Sequence, residues 1–175
     1  MTLSALQHLI RSAQALSENS QIIILGSSSL LATFPQLGEP DQVLSTTFDA
    51  DLYAAPFENL TALMLEESLG EGHAFHRIHG YHADVMREEI LQTFPHGWFD
   101  RKVPVPGTTA HALEPHDLAA VKILVHRKKD LALVRCLWAL GLLDATTIRA
   151  RLDLLPVPIE MQPRLHARWK TMTMD

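Results

Sequence analysis

The chain has 175 residues and a formal net charge of -5, and 47% of its residues are hydrophobic against 20% that are charged. This length and composition predict one globular domain with its own core, or one domain with a small appendage. The negative charge argues against a protein that coats nucleic acid with its whole surface, although it leaves room for a local basic patch. The single Cys136 excludes an internal disulfide, and we therefore expect a protein of the reducing cytoplasm.

No segment has the pattern of a secretory leader or a membrane span. The first twenty residues place apolar side chains at helical spacing with polar residues between them, whereas a leader needs an unbroken apolar stretch. The apolar run 131–143 contains Arg135 and is shorter than the ~20 residues that a spanning helix needs. We therefore expect no membrane partner.

The first half of the chain alternates between helix and strand patterns. Residues 3–17 predict an amphipathic helix, and the β-branched run 21–25 predicts a buried strand that stops at Gly26. The serines after Gly26 can cap a short helix that ends at Pro35. The segments that follow are a loop over 35–45, a strand over 47–54, a helix over 59–69 and a strand-like stretch over 73–86, broken near Gly80.

The pattern becomes helical after Pro115. Short strands are predicted at 102–105 and 109–113, before the change. The predicted helices then cover 117–129, 131–142, 146–154 and 159–170. These elements predict an α+β fold, in which a mixed sheet flanked by helices is followed by a helical C-terminal third. We expect a core over 1–114 and a helical segment over 115–175, packed on the core as one compact unit.

Gly26 and Ser27 follow the predicted strand at a turn into a helix. Glycine lets the backbone approach a ligand closely, and the start of a helix offers N–H groups to a phosphate. Such turns are common, so the motif alone is a weak sign of binding.

Asp49 and Asp51 stand two apart on the next predicted strand, so their side chains point to the same face, while Phe48, Ala50 and Leu52 face the core. Two carboxylates on one face repel each other unless a cation lies between them. Oxygen ligands of this kind suit Mg²⁺, which binds a couple of carboxylates together with substrate phosphates. The alternative is a pair of solvated aspartates on an edge strand.

An apolar strand with Gly-Ser, followed by Asp-x-Asp on the next strand, resembles the signature of the DNA polymerase β-like nucleotidyltransferase superfamily. Later stretches resemble a branch of small bacterial nucleotidyltransferase-like proteins of unknown substrate, related to the abortive-infection toxin nucleotidyltransferases of toxin–antitoxin pairs. The resemblance covers about residues 20–145. The segments that carry it are Gly26-Ser27, Asp49-Ala50-Asp51, Gly97–Arg101, Leu113–Lys122 and Arg127–Asp130.

The resemblance implies transfer of a nucleoside monophosphate from a nucleoside triphosphate to an acceptor hydroxyl on a small molecule, a protein or an RNA end. It implies that Asp49 and Asp51 bind Mg²⁺, or Mn²⁺ in its place, as metal ligands and catalytic residues. The residues it assigns to nucleotide binding are Gly26, Ser27, Lys122, Arg127 and Lys129. Asp130 is then expected to fix Lys122 or Arg127. The basic run 126–129 also fits a solvated helix end, above all at Lys128.

The superfamily usually has a third carboxylate on a later strand. Asp84 is the first candidate for this catalytic position, beside His82 on one strand face, and Glu114 is the second. Asp84 can instead cap the helix-like run 85–91.

Two other functions compete with the enzyme. The first is a non-catalytic member of the same fold that binds a nucleotide or a partner protein. The second is a histidine-dependent metal hydrolase, because histidines recur at 73, 76, 79 and 82. On a strand this spacing alternates faces, so we rank the hydrolase far behind and expect solvated or packed histidines.

Overall fold

The computed structural model describes residues 1–17 and 19–173 and confirms the α+β class. Five strands form one mixed sheet in the order β3-β2-β1-β5-β4. Strand β1 pairs antiparallel with β2 and parallel with β5, whereas β2 pairs parallel with β3 and β5 antiparallel with β4. The strands are β1 Gln21–Ile24, β2 Asp49–Ala55, β3 His82–Val85, β4 Val103–Pro104 and β5 His111–Ala112.

Helices precede, separate and follow the strands. The α-helices are α1 Leu3–Leu16, α2 Asn59–Leu69, α3 Ala74–His79, α4 Trp98–Arg101, α5 Pro115–Val125, α6 Lys128–Ala139, α7 Ala145–Asp153 and α8 Gln162–Thr173. Short 3₁₀ helices cover Ser27–Ala32, Pro35–Gly38, Glu88–Thr93 and Ile159–Met161. Across residues 1–17 and 19–173, none of the helices has both the length and the apolar character needed to cross a membrane.

The chain divides into two compact units. The first, which we call the sheet unit, comprises Met1–Ile90 and Arg101–Glu114 and contains all five strands. The second, the helical unit, comprises Leu91–Asp100 and the chain from Pro115 onward. Residues 91–100 come before Pro115 in the chain and belong to the helical unit. There the His96 N–H donates to the Leu154 carbonyl at 2.8 Å.

The core of the sheet unit forms around the isoleucines of β1. Ile22, Ile23 and Ile24 are at most 1% exposed, and the apolar side of α1 is buried as well. β-branched side chains favour the extended backbone, and complete burial of each is worth about 1.5–3 kcal/mol. The apolar side of α1 and the β-branched run 22–24 thus stabilise, by burial, the strand that precedes Gly26.

Two element predictions are wrong. Residues 74–79 form helix α3 rather than a strand, and the helix ends at Gly80 with a left-handed φ of 77°, whose N–H donates to the His76 carbonyl at 2.8 Å. The predicted helix over 117–129 is broken, because His126 has a φ of 64° and separates α5 from α6. Phe48, expected to face the core, precedes β2 and is 57% exposed.

Candidate active site

The turn after β1 is held against β2 by the backbone. The Leu25 N–H donates to the Asp51 carbonyl at 2.8 Å, which extends the β1–β2 pairing up to Gly26. Ser27 then begins a 3₁₀ helix, in which the Ser29 N–H donates to the Gly26 carbonyl at 2.9 Å. This register brings Gly26 beside Asp51, although 24 residues lie between them in the sequence.

Glycine is required at position 26 by the side chain of Asp51. A methyl group at Gly26 would overlap the Asp51 carboxylate oxygen and would come within 2.5 Å of its Cγ. The φ of Gly26 is -84°, which any residue adopts, so backbone conformation does not explain the glycine. The carboxylate of Asp51 therefore lies directly against the backbone of the turn.

The three predicted aspartates share one face of the sheet. In the parallel pairing of β2 with β3, Asp49 is in register with His82 and Asp51 with Asp84. Residues in register, and residues two apart on one strand, point to the same face. The opposite face is apolar and buried, with Ala50 and Leu52 0% exposed and Ala83 2% exposed. Strand alternation thus gathers the carboxylates on the partly open face.

His82 lies beside Asp84 on this face. The Nε2 atom of His82 is 3.3 Å from Asp84 Oδ1. His82 is 8% exposed, whereas the Asp84 side chain is 45% exposed. The second ring nitrogen, Nδ1, is buried and has no hydrogen-bond partner among the described residues. Asp84 belongs to β3 and the 3₁₀ helix begins only at Glu88, so it is on a strand rather than at the helix N-terminus that the alternative required.

Glu114, the second candidate, lies at the end of β5. Ile24 of β1 is in register with Ala112 of β5, and the Leu113 N–H donates to the Ile24 carbonyl at 2.8 Å. Glu114 follows Ala112 by two residues, as Gly26 follows Ile24. Asp84 lies on β3, next to β2, and Glu114 follows β5, next to β1, so the two candidates are on opposite sides of the β1–β2 pair in the sheet.

Two serine hydroxyls next to the turn are buried without a partner. Ser28 and Ser29 are 1% and 0% exposed, and neither Oγ is hydrogen bonded within the described part of the chain. An unsatisfied buried hydroxyl costs about 1–3 kcal/mol, so such groups are uncommon in native proteins. Sequence reasoning assigned these serines to helix capping, but the 3₁₀ helix has no side-chain cap at its first position.

The acidic face does not form a closed metal cage. Within residues 1–17 and 19–173, no group of three or more His, Cys, Asp or Glu side chains is arranged to hold a metal ion. Asp49 does interact electrostatically with the Met1 ammonium, which itself donates to the Thr47 carbonyl at 2.6 Å. Burial lowers the pKa of that ammonium, and the charge of Asp49 opposes the effect.

The predicted phosphate-binding residues of the helical unit surround Asp130. Lys122 Nζ donates to Asp130 Oδ1 at 2.8 Å, and Arg127 Nε donates to Asp130 Oδ2 at 2.6 Å. Asp130 is 1% exposed, and burial opposes its ionisation, yet the hydrogen bonds and charges of both cations hold its pKa below the usual value. The sequence predicts that Asp130 fixes Lys122 or Arg127, and in the structure Asp130 accepts hydrogen bonds from both. Lys129 is exposed.

A second ion pair of the helical unit involves Asp117. The sequence placed this residue in the first turn of a helix, and it lies there, but it is 0% exposed and its Oδ1 is 3.1 Å from Arg151 Nε. Nothing in the local pattern indicates the contact, because Arg151 comes from α7.

Three histidines of the 73–82 row, His76, His79 and His82, pack against other rings. His79 meets His8 edge to face at 4.6 Å between centroids, and His8 Nδ1 is 2.7 Å from the Tyr81 hydroxyl. His76 and His82 also pack together, at 4.6 Å. These contacts join α1 to α3 and to the strand that follows.

Residues 2–171 match the model of a protein family described as "Nucleotidyltransferase of unknown function (DUF6036)". No curated protein and no solved structure is significantly similar to the chain.

Proposed function

Because the chain belongs to this nucleotidyltransferase family, we propose that it is a magnesium-dependent enzyme that transfers a nucleoside monophosphate from a triphosphate to an acceptor hydroxyl. The acceptor oxygen forms a bond with the α-phosphorus, the bond to the β-phosphate oxygen breaks, and pyrophosphate leaves. The observation that carries the proposal is the Asp51 carboxylate against the Gly26 turn, with Asp84 in register beside it. Membership of the DNA polymerase β-like superfamily, and kinship with bacterial toxin nucleotidyltransferases, are parts of the same proposal.

The proposed phosphate subsite is the Gly26-Ser27 turn. The space that a side chain at Gly26 would fill holds the Asp51 carboxylate, and the buried hydroxyls of Ser28 and Ser29 lack partners among the described residues. A phosphate that approaches Ser27 would meet hydroxyl and N–H donors, which favour its negative charge.

Asp49 and Asp51 fit a Mg²⁺ ion by the chemistry of their donors. Both are partly exposed carboxylates on one strand face, and Mg²⁺ needs only one or two protein carboxylates when substrate phosphates supply further oxygens. When bound, the ion, or Mn²⁺ in its place, would supply positive charge to the phosphates.

Asp84 is the proposed third carboxylate, which takes the proton of the acceptor hydroxyl. Its side chain is 45% exposed and therefore accessible to an acceptor. His82 would act as a positioning residue, because its Nε2 lies 3.3 Å from the Asp84 carboxylate and its ring is buried. Glu114, beyond β5, is the alternative to Asp84.

Lys122, Arg127 and Lys129 remain proposed nucleotide-binding residues, and all three belong to the helical unit. Lys129 is the most available, since its side chain is exposed and forms no ion pair with any described residue. Lys122 donates a hydrogen bond to Asp130, so we expect a substitution of Lys122 to weaken first the packing of α5 and α6.

A non-catalytic module that binds a nucleotide or a partner protein is the second candidate. The observation in its favour is that no three acidic, histidine or cysteine side chains converge within the described residues. The same fold would then bind a triphosphate without turning it over.

Pyrophosphate release separates the two candidates. The full-length chain is incubated with Mg²⁺ and each of the four common ribonucleoside triphosphates, with Asp51→Asn as the test variant and Asp41→Asn as the control. Asp41 lies in an exposed loop with a φ of 65°, which asparagine tolerates well. We expect release with the wild type and Asp41→Asn and a loss of about a thousandfold with Asp51→Asn.

Small-molecule, protein and RNA acceptors are added in separate reactions, because transfer needs the acceptor hydroxyl. Triphosphate binding without release in any reaction would support the non-catalytic module. Equal release by Asp51→Asn and the wild type would reject the proposed site.

A further inference from the structure

A cavity of about 290 Å³ opens on the helical unit. Its basic side chains come from three segments: His126 from the link between α5 and α6, Arg135 from α6, and Arg164 and Arg168 from α8. Leu131, Ala167 and Met172 complete the wall with apolar side chains, and none of the acidic residues in the described ranges 1–17 and 19–173 lines the cavity. We call this set the arginine cavity.

The fold fixes the directions of these arginines. Arg164 and Arg168 are one turn apart on α8 and therefore project from the same side of the helix. Arg168 Nη1 donates to the carbonyls of Ile123 and Leu124 at 3.0 and 3.1 Å, near the end of α5. These bonds hold the guanidinium in place while the side chain keeps further N–H donors.

The positive charges of the cavity act on one another. Burial, and then the charge of Arg164, lowers the pKa of Arg168. The pKa of His126 is lowered by desolvation and by both of these arginines. Among the described residues, no carboxylate is within ion-pair distance of Arg135, Arg164 or Arg168. Like charges gathered without a counter-charge are unfavourable, and an anion would relieve the repulsion.

We propose that the arginine cavity binds the phosphate group of a phosphorylated ligand, with Arg135, Arg164 and Arg168 as its hydrogen-bond donors. Guanidinium groups from two helices match a phosphate better than a carboxylate, because a phosphate presents more oxygens and more charge. The apolar wall beside them suits the organic part of the ligand. The proposal stands apart from the transfer reaction, since none of the residues that carry it is assigned to catalysis or to nucleotide binding.

The phosphate has two possible sources, a small phosphorylated molecule or the backbone of an RNA. The test uses the full-length chain in metal-free buffer without nucleoside triphosphate, so its result does not depend on the proposed enzyme activity. Inorganic pyrophosphate is titrated by calorimetry, and a short labelled single-stranded RNA is titrated by fluorescence anisotropy at several salt concentrations.

Arg135→Gln and Arg164→Gln are the test variants, because both side chains are exposed and should not be needed for folding. Arg149→Gln is the matched control, since Arg149 is an exposed arginine of α7 outside the cavity. We expect each test variant to lose about tenfold in affinity for the bound probe and the control to keep it.

The two probes distinguish the sources. Weakened pyrophosphate binding with unchanged RNA binding would assign the cavity to a small phosphorylated ligand. Weakened RNA binding, with a salt slope reduced by roughly 0.7 per arginine removed, would assign it to an RNA backbone. The proposal is overturned when wild type binds neither probe, or when Arg164→Gln and Arg149→Gln bind both probes equally well.

Discussion

Two sets of aspartates in this chain have opposite surroundings. Asp130 is 1% exposed and lies between the cations of Lys122 and Arg127, so its charge is fully compensated. Asp51 and Asp84 are partly exposed and in register on neighbouring strands, so two negative charges share one face. The comparison teaches that the charge of Asp130 stabilises the packing of α5 and α6, whereas the charges of Asp51 and Asp84 stay partly exposed on one face of the sheet.

The largest expected effect on stability is that of Asp130→Asn. The substitution removes the counter-charge of Lys122, whose side chain is only 10% exposed, and leaves a buried ammonium uncompensated. Loss of one partner of a buried pair costs about 3–5 kcal/mol, which we expect to find by urea denaturation of both proteins.

Asp153→Asn is the matched control in the same unit, because the Asp153 side chain is 63% exposed although it contacts His166 at 2.7 Å. An exposed pair of this kind contributes about 1 kcal/mol or less. If Asp130→Asn and Asp153→Asn lost equal stability, the distinction between the buried, compensated Asp130 and the exposed Asp153 would be wrong.

Gly26→Ala is expected to reduce pyrophosphate release by about a hundredfold, because the added methyl group must displace the Asp51 carboxylate from the turn. The backbone at φ -84° accepts alanine, so no conformational strain accompanies the change. In the Asp51→Asn background the same substitution should cause little further loss. Additive losses in the double variant would mean that Gly26 acts independently of Asp51.

Acid should weaken the Asp130 cluster in a defined direction. The pKa of Asp130 is lowered from its ordinary 3.8 in the folded chain, so its stabilising contribution is complete above that value. The contribution is lost as the pH falls below 3.8 through the folded-state pKa. The difference in unfolding free energy between wild type and Asp130→Asn should therefore shrink on acidification. A difference that is constant from neutral pH to pH 3 would contradict the assigned ion pairs.

The smallest stability change is expected for Asp84→Asn, within about 0.5 kcal/mol, since the side chain is 45% exposed and lies next to another carboxylate. Pyrophosphate release by the same variant should fall by orders of magnitude. A loss of stability without a loss of release would assign Asp84 a structural role, and Glu114→Gln would then be the next variant.

Several features could be predicted because they depend on local periodicity. The two-residue spacings of Asp49 with Asp51 and of His82 with Asp84 place each pair on one strand face, and the structure has both pairs on the same face. The contact of Gly26 with Asp51 has no signal in the local spacing of the sequence. The two residues come close because of the register between β1 and β2, and this register depends on tertiary packing.

Other features have no local signal. The left-handed φ of His126 separates α5 from α6, although the apolar pattern of the sequence continues through this residue. Non-glycine residues seldom adopt this conformation, so the sequence gives no sign of the break. The pattern over 73–86 predicts a strand that is broken near Gly80. In the structure Gly80 is instead the C-terminal cap of helix α3. The buried pair Asp117–Arg151 and the arginine cavity both join residues from different helices, so sequence spacing alone does not indicate them.

Calorimetric titration of a nucleoside triphosphate, with and without Mg²⁺, tests most directly whether Asp51 serves a metal–nucleotide site. Wild type should bind the triphosphate at least about tenfold more tightly with Mg²⁺, and Asp51→Asn should lose that increase while Asp41→Asn keeps it. Equal affinity with and without the ion in wild type, or an undiminished increase in Asp51→Asn, would contradict the account.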